Sequence, residues 1–191
     1  VNSLGVIWVT QAFKQMMKKS KGRIVTAASI VGRIVLPRVG PYCMSKYAVE
    51  AYCDTIRREL TAYDVFVSML EPGFFATNLL SVEKGTAEMK RIWDKQSPEI
   101  KQEYGQEYLE KMCQAGDKMI EIAASKRIEF VADAYYAALF SRFPRKRYWV
   151  GVDSIFFFVP VSMLPAFIQD PIVNLIDKFV DAPIPQACQN L

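Results

Sequence analysis

The sequence contains no histidine, and no two of its four cysteines stand at C-x-x-C spacing. Zinc sites are built mainly from cysteine and histidine, so this composition argues against zinc, and we expect no metal site. The absence of histidine also excludes any catalytic triad with an imidazole base. We expect free thiols of a reducing compartment at the four cysteines: Cys43, Cys53, Cys113 and Cys188.

An apolar stretch near the C-terminus, residues 155–168, falls short of a transmembrane helix. Its fourteen residues carry no charge, and Pro160 and Pro165 interrupt it. A membrane-spanning helix needs about 20 apolar residues. Two interpretations stay open: the segment packs over a substrate cavity, or it lies in a membrane interface.

The basic residues form no extended run. The net charge of +4 is spread along the chain. The basic runs at residues 18–21 and 145–147 are short and lack a nucleic-acid motif, so we expect solvated loops there and no nucleic-acid partner.

The chain starts within a helical pattern. Residue 1 is valine rather than methionine, and no signal peptide is visible. We therefore expect a fragment of a longer product. The 191 residues themselves fit one domain.

Helical and strand patterns alternate along the chain. The predicted elements are helix 2–19, strand 23–29, helix 42–62, strand 65–73, helices within the charged stretch 81–129, helix 131–140 and strand 147–152. Ser97 and Pro98 mark one helix start inside the charged stretch. This order, α-β-α-β-α-α-α-β, predicts an α/β fold with a parallel sheet and right-handed crossovers.

Residues 22–60 bring a hydroxyl, a phenol and an ammonium into one strand–loop–helix unit. Ser29 ends the strand, and Tyr42 and Lys46 stand at i and i+4 on the next helix. An ammonium beside a phenol favours phenolate, so Lys46 is predicted to lower the pKa of Tyr42 from about 10 and allow proton exchange near neutral pH. Ser29 is placed to hydrogen-bond the same substrate oxygen. An alcohol that loses this proton must also lose a hydride, which points to a nicotinamide acceptor.

Further positions strengthen the prediction because they follow the same order of elements. Asn2 lies in the first helix, Pro72 and Gly73 end the second strand, and Thr77 comes just after them. The motif Y-x-x-x-K is weak by itself, since a surface Tyr/Lys pair is common on helices. The combination of Asn2, Ser29, Tyr42, Lys46 and Thr77 is far more specific.

These motifs resemble those of the short-chain dehydrogenase/reductase family. The matching segments are V-N-S-L-G at 1–5, G-R-I-V-T-A-A-S at 22–29, Y-C-M-S-K at 42–46 and E-P-G-F-F-A-T at 71–77. The likeness extends to the branch of retinol and 17β- and 3α-hydroxysteroid dehydrogenases, through Y-C-x-S-K-x-A-V-E-A at 42–51, S-P-E-I-K-Q-E-Y-G at 97–105 and D-S-I-F-F-F-V-P-V-S-M-L-P at 153–165. The chain resembles the C-terminal two-thirds of such a protein.

The resemblance implies a role for each site residue. Tyr42 would be the general acid/base, with Lys46 lowering its pKa and contacting the nicotinamide ribose. Ser29 would orient and polarise the substrate oxygen, and Asn2 would hold a water that connects Lys46 to solvent. Cofactor contacts are implied at Tyr42, Lys46, Pro72, Gly73 and Thr77, and substrate contacts at Ser29 and Tyr42.

The resemblance also implies an organisation for the chain. The fold would be a Rossmann-like parallel sheet with helices on both faces, lacking its N-terminal β-α-β units. Within one partial domain, 1–191, the implied parts are a catalytic half (1–80), a substrate lid (81–129), a last helix and strand (130–152) and an apolar C-terminal segment (153–191). The implied partners are a lipophilic alcohol or ketone, a second copy bound through helices 2–19 and 42–62, and the surface of the endoplasmic reticulum or another intracellular membrane.

The family motifs of the N-terminal β-α-β units, including the N-N-A-G strand, are missing from the 191 residues. The T-G-x-x-x-G-x-G phosphate loop is absent, so the preference for NAD or NADP has no visible determinant. Strand 23–29 is expected to present an apolar edge. We predict that the protein is an NAD(P)-dependent oxidoreductase of retinoid or steroid alcohols. We expect the 191 residues alone to be inactive. The alternative is a truncated, catalytically silent and cytoplasmic isoform that acts by dimerisation or lipid binding.

Overall fold

The computed structural model describes residues 1–77 and 81–189. It contains two compact units, one formed by Val1–Gly73 with Arg127–Leu164 and the other by Phe74–Lys126 with Pro165–Leu191. The expected boundary between catalytic half and lid, at residue 80, lies outside the described residues.

The described helices and strands follow the predicted alternation. In chain order they are α1 (Leu4–Ser20), β1 (Arg23–Ala27), α2 (Gly40–Leu60), β2 (Phe66–Pro72), α3 (Val82–Asp94), α4 (Pro98–Tyr104), α5 (Gln106–Ala123), α6 (Glu129–Phe140), β3 (Arg147–Val150), α7 (Val159–Ser162) and α8 (Ala166–Phe179). Short 3₁₀ turns lie at Ile30–Gly32, Thr61–Tyr63 and Gln186–Cys188, and a π-helical turn at Ser154–Phe158. Between β2 and β3 the described residues form four α-helices, one more than the three predicted.

The strands of the first unit form a parallel sheet in the order β1-β2-β3. β1 pairs with β2 from Arg23 opposite Phe66 to Ala27 opposite Leu70, and β2 pairs with β3 from Met69 opposite Arg147 onward. The predicted α/β fold with a Rossmann-like parallel sheet is confirmed. Since the strands are parallel, their carboxyl ends lie at one edge, which is where open α/β sheets bind ligands.

Helix α2 covers the sheet with an apolar face. Near its middle, Val49 and Cys53 pack with Ala28 and Met69. Toward its end, a second buried cluster contains Ile56, Leu60, Val65 and Val67. Full burial of a side chain of this size contributes about 1.5–3 kcal/mol, so these contacts fix α2 firmly on β2.

Strand β1 is less buried than its sequence suggests. Arg23, Ile24 and Val25 are half-buried and Ala27 is exposed, because β1 lies at the edge of the sheet and, in the described part of the chain, pairs with β2 alone. The β-branched run of this strand is typical of burial on both faces, and the structure leaves the strand half-buried instead. A largely apolar cavity of about 540 Å³ runs along this strand, lined by β1 and by α1 residues that include Val9 and Phe13. The expected apolar edge is thus present in the structure.

The second unit is helical in its described residues. Helix α3 packs on α5, and the Ser97 hydroxyl accepts a hydrogen bond from the Ile100 amide at 3.4 Å, which confirms the predicted start of α4. Lys118 pairs with Asp181 at 2.6 Å. No helix in the described residues is long and apolar enough to span a membrane.

A buried ion cluster joins the elements of the first unit. Arg147 of β3 contacts Glu71 of β2 at 2.5 Å, Asp54 of α2 at 2.9 Å, and also Glu50 of α2. Arg33, which follows the Ile30–Gly32 turn, pairs with the other oxygen of Glu71, whose side chain is 0% exposed. The Arg147 guanidinium therefore links β3, which carries it, to helix α2 and to the central strand β2.

We expect Arg147→Met to lower the free energy of unfolding by about 3–5 kcal/mol, the usual effect of removing one partner from a buried ion pair. The buried Glu71 would keep only Arg33, and Glu50 would lose its guanidinium partner. Denaturant unfolding of the complete protein measures the change. Arg145→Met is the matched control, because Arg145 is exposed beside the same strand; equal stability losses for the two variants would contradict the prediction.

Candidate active site

Ser29 lies just beyond the carboxyl end of β1. The strand ends at Ala27, and the Ala28 amide still donates to the carbonyl of Leu70 at 2.8 Å. Ser29 is extended, with φ −170° and ψ 161°, and its carbonyl accepts from the Gly32 amide at 2.9 Å. The strand pairing and the 3₁₀ turn thus hold the Ser29 hydroxyl at the ligand-binding edge of the sheet.

Tyr42 and Lys46 lie in the first turns of α2, which begins with Pro41 in its first turn. Both are half-buried. The Lys46 ammonium donates to the carbonyl of Ala27 at 3.3 Å and lies 5.7 Å from the centroid of the Tyr42 ring. The structure therefore brings Ser29, Tyr42 and Lys46 together at the end of β1.

The pKa of Tyr42 is shifted upward. Burial raises it from 10.0, a hydrogen bond with Ser29 lowers it, and the neighbouring Cys43 raises it further. The predicted net lowering of this pKa is therefore wrong for this structure, because burial of the phenol is the larger effect and the Lys46 ammonium is bound to the Ala27 carbonyl. At neutral pH Tyr42 is a protonated phenol and can act as a general acid.

The pKa of Lys46 is shifted downward. Burial of the ammonium lowers it from 10.5, and the negative charge of Glu50 acts in the opposite direction. Burial therefore shifts both catalytic candidates toward their neutral forms, since it disfavours phenolate and ammonium alike. Glu50, one turn further along α2, is the carboxylate that opposes this effect at Lys46.

Gly32 allows the Ser29 turn to approach α2 closely. A Cβ at this position would lie 2.9 Å from Cγ of Glu50 and 3.1 Å from the backbone oxygen of Lys46. Contacts this short are tighter than nine in ten observed ones, so a larger residue would push the turn away from the helix. The spacing of Ser29 and Lys46 depends on this glycine.

Pro72 and Gly73 end β2 at the same edge of the sheet. The Gly73 amide donates to the carbonyl of Val150 at 2.8 Å. A Cβ on Gly73 would collide with the carboxylate of Asp153, whose Cγ would lie 2.5 Å away. A larger residue at position 73 would displace the Asp153 side chain, and the Gly73 backbone is bonded to the end of β3.

Asn2 and Thr77 are not brought into this group by any described contact. Asn2 is exposed, just before Ser3 at the start of α1. Thr77 is exposed in the second unit, two residues beyond the isolated bridge between Phe75 and Ser125. The roles assigned to both residues stay predictions.

The sequence analysis missed the residues beneath the site: Gly32, Arg33, Glu50, Glu71 and Arg147. One signal was available for Glu50, since Tyr42, Lys46 and Glu50 recur every four residues and share a helix face. Arg147 carried no local signal, because its partners lie 76 to 97 residues away.

Comparison with known proteins agrees with this architecture. A family model described as "short chain dehydrogenase" matches residues 1–87. "3beta-hydroxysteroid dehydrogenase dhs-16" of Caenorhabditis elegans is 41% identical over 96% of this chain and 47% of its own length. "Retinol dehydrogenase 7" of Rattus norvegicus is 39% identical over 91% of this chain and 54% of its own length.

A solved structure shows the same fold. A short chain dehydrogenase from Burkholderia cenocepacia, in complex with NADP, has a TM-score of 0.62 and 17% identity over 90% of this chain and 56% of its own. The chain spans about half the length of the curated relatives it matches, less than the two-thirds that the resemblance implied.

We expect Ser29→Ala to raise the pKa of Tyr42 further, since the variant removes the hydrogen bond that lowers it. NMR titration of protein labelled with ¹³C at the tyrosine Cζ measures this, with the Tyr42 signal identified by its loss in Tyr42→Phe. Ser45→Ala is the control, because that hydroxyl donates to the backbone oxygen of Tyr42 at 2.7 Å. An unchanged or lower Tyr42 pKa in Ser29→Ala would contradict the prediction.

Proposed function

Because the chain belongs to the short-chain dehydrogenase family, on the branch of the retinol and hydroxysteroid dehydrogenases, we propose that it carries the acid–base half of an NAD(P)-dependent alcohol dehydrogenase. The substrate is a lipophilic primary or secondary alcohol, or the matching carbonyl. Tyr42 is the general acid/base of this reaction.

The observation that carries the proposal is the contact of three groups at the end of β1. Ser29 hydrogen-bonds the Tyr42 phenol, and Lys46 is anchored to Ala27 within reach of the same ring. Tyr42 and Lys46 are half-buried beside a hydroxyl at the end of a strand, whereas a Tyr/Lys pair without a function is usually exposed on a helix surface. General acid–base catalysis requires this arrangement of a titratable group with groups that orient it.

Each side chain has a defined task in carbonyl reduction. The Ser29 hydroxyl donates to the substrate oxygen and polarises the carbonyl. Protonated Tyr42 delivers its proton to that oxygen as negative charge develops there. Lys46 stabilises the resulting phenolate by its positive charge. Oxidation of the alcohol runs the same steps in reverse, with the Tyr42 phenolate as base.

The residues fit a nicotinamide cofactor, which supplies or accepts the hydride when bound. A lysine ammonium has three N–H donors, and the Ala27 carbonyl takes one, which leaves donors for ribose hydroxyls. Tyr42, Pro72 and Gly73 stand at the same edge of the sheet, and we assign Thr77 to the carboxamide. The choice between NAD and NADP has no determinant in these residues.

We infer a lipophilic substrate from the relatives and from exposed aromatic residues. The two relatives are named for a hydroxysteroid and for retinol. Phe156 and Phe157 of the π-helical turn are exposed. Exposed aromatic side chains suit either an apolar substrate entrance or contact with a membrane surface. The membrane would be that of the endoplasmic reticulum or another intracellular membrane. Residues 81–129 are proposed to form the substrate lid.

A second candidate function is binding without turnover, by dimerisation or lipid contact. Helix α1 favours it, because Leu4, Trp8, Phe13 and Met16 are large, apolar and exposed. A second copy bound through α1 and α2 would cover this face. The two candidates differ in whether Tyr42 carries out proton transfer.

We expect Tyr42→Phe to lower kcat at least about 100-fold, since general acid–base catalysis contributes factors of that order or more. Cofactor affinity should change little because the ring is retained. Steady-state kinetics of the complete protein with retinol and steroid alcohols, together with cofactor titration, measure both. Tyr47→Phe is the matched control, being an exposed tyrosine of the same helix. Retained turnover in Tyr42→Phe would show that Tyr42 is not the general acid/base.

We propose that a polypeptide of these 191 residues alone has no measurable dehydrogenase activity, since its sequence contains no glycine-rich phosphate loop. Absorbance at the reduced-nicotinamide wavelength, with NAD and with NADP, measures turnover. Alcohol oxidation at the rate of the complete protein would contradict this expectation. Dimerisation or vesicle binding without turnover would support the second candidate.

A further inference from the structure

Beneath the catalytic pair, α2 carries a third charged residue on the same face. Tyr42, Lys46 and Glu50 recur every four residues, so they are stacked along one side of the helix. Glu50 is buried, with its side chain 9% exposed. We propose that Glu50 is a positioning residue for Lys46, a proposal that rests on the function proposed above: its carboxylate keeps Lys46 charged and holds α2 against the Ser29 turn.

The contacts of Glu50 reach both parts of the site. One carboxylate oxygen is bound by the guanidinium of Arg147, which fixes the side chain from β3. Its Cγ would lie 2.9 Å from a Cβ on Gly32, so the stem of Glu50 packs on the turn that begins at Ser29. Glu50 therefore touches the Ser29 turn while it stands one helical turn from Lys46.

The other oxygen of Glu50, Oε1, is buried and has no hydrogen-bond partner among the described residues. A buried carboxylate oxygen without a donor is costly, and it stays only where other interactions hold it. The charge of a buried carboxylate is poorly screened by solvent, so it acts on a nearby ammonium with more effect than a surface carboxylate would. The charge of Glu50 raises the pKa of Lys46.

The charged groups around Glu50 come from every element packed on it. Lys46 and Asp54 belong to α2, Glu71 to β2, Arg147 to β3, and Arg33 follows the 3₁₀ turn. Burial and the charge of Glu71 raise the pKa of Glu50 to about 7, against the lowering effects of Arg147 and Arg33. As pH rises through that range Glu50 ionises, and its charge then opposes the loss of the Lys46 proton.

Two roles for Glu50 predict different results. As a purely structural ion pair, it would stabilise the sheet–helix contact and leave the titration of Lys46 unchanged. As a positioning residue, it would raise the proton affinity of Lys46, so that its removal shifts deprotonation of Lys46 to lower pH. Phenolate stabilisation in the reaction would then fail at lower pH as well.

The test compares Glu50→Gln with Glu59→Gln in the complete protein. Gln keeps the shape of Glu50 and an oxygen for Arg147 but removes the charge. Glu59 lies on the same helix with a side chain 56% exposed, which makes it a matched control. NMR of ¹³C-labelled lysine follows the titration of Lys46, whose signal is identified by its loss in Lys46→Arg. The pH profile of kcat for alcohol oxidation is measured in parallel.

We expect Glu50→Gln to move the Lys46 midpoint to lower pH, and the alkaline limb of the kcat profile with it. On that limb kcat should fall about twofold, the scale of an i,i+4 charge interaction. Glu59→Gln should leave both unchanged. A Glu50→Gln protein that is less stable but has wild-type Lys46 titration and pH profile would overturn the proposal.

A variant that fails to fold does not end the test. Glu50→Gln combined with Arg147→Gln removes one charge of each sign and leaves Glu71 with Arg33 and Asp54 with Arg57, and the same two outcomes apply to it. The Lys46 titration needs no turnover. A shifted midpoint in a protein that oxidises no alcohol would reject the proposed function alone, and Tyr42-dependent turnover with an unshifted midpoint would reject the Glu50 inference alone.

Discussion

The structure of the first unit depends on one half-buried cation. The Arg147 guanidinium meets carboxylates from β2 and α2 at once, and its fork of donors suits such multiple contacts. Three carboxyl groups and three guanidinium groups meet in this cluster. Burying charges is unfavourable unless they are paired, which makes the cluster a weak source of stability but a strict constraint on which elements lie together.

The constraint has a chemical result at the other end of α2. The helix that carries Glu50 into the ion cluster also carries Tyr42 and Lys46 to the end of β1. Burial then moves the pKa of Tyr42 up and that of Lys46 down. The hydrogen bond with Ser29 opposes the upward shift at Tyr42, and the negative charge of Glu50 opposes the downward shift at Lys46. The site therefore consists of two desolvated groups, each with a polar neighbour that restores part of its charged form.

Local sequence patterns predicted the helices and strands and the grouping of Ser29, Tyr42 and Lys46. Strand runs, helix faces and the i,i+4 spacing of Tyr42 and Lys46 can each be recognised within a short stretch of sequence. The direction of the Tyr42 pKa could not be predicted in this way, since it depends on burial and on the Ala27 carbonyl that binds Lys46. The partners of Arg147 depend on contacts 76 to 97 residues apart in sequence, for which a single chain carries no signal.

The contact at Gly32 has a mechanical meaning. Coulombic attraction between Glu50 and Arg147 varies gently with distance, whereas overlap of atoms rises steeply. With the Gly32 turn already against the backbone of Lys46, α2 meets a hard stop in one direction and only a soft restoring force in the other. The separation of the turn from α2 is then set by atomic contact on one side and by electrostatic attraction on the other.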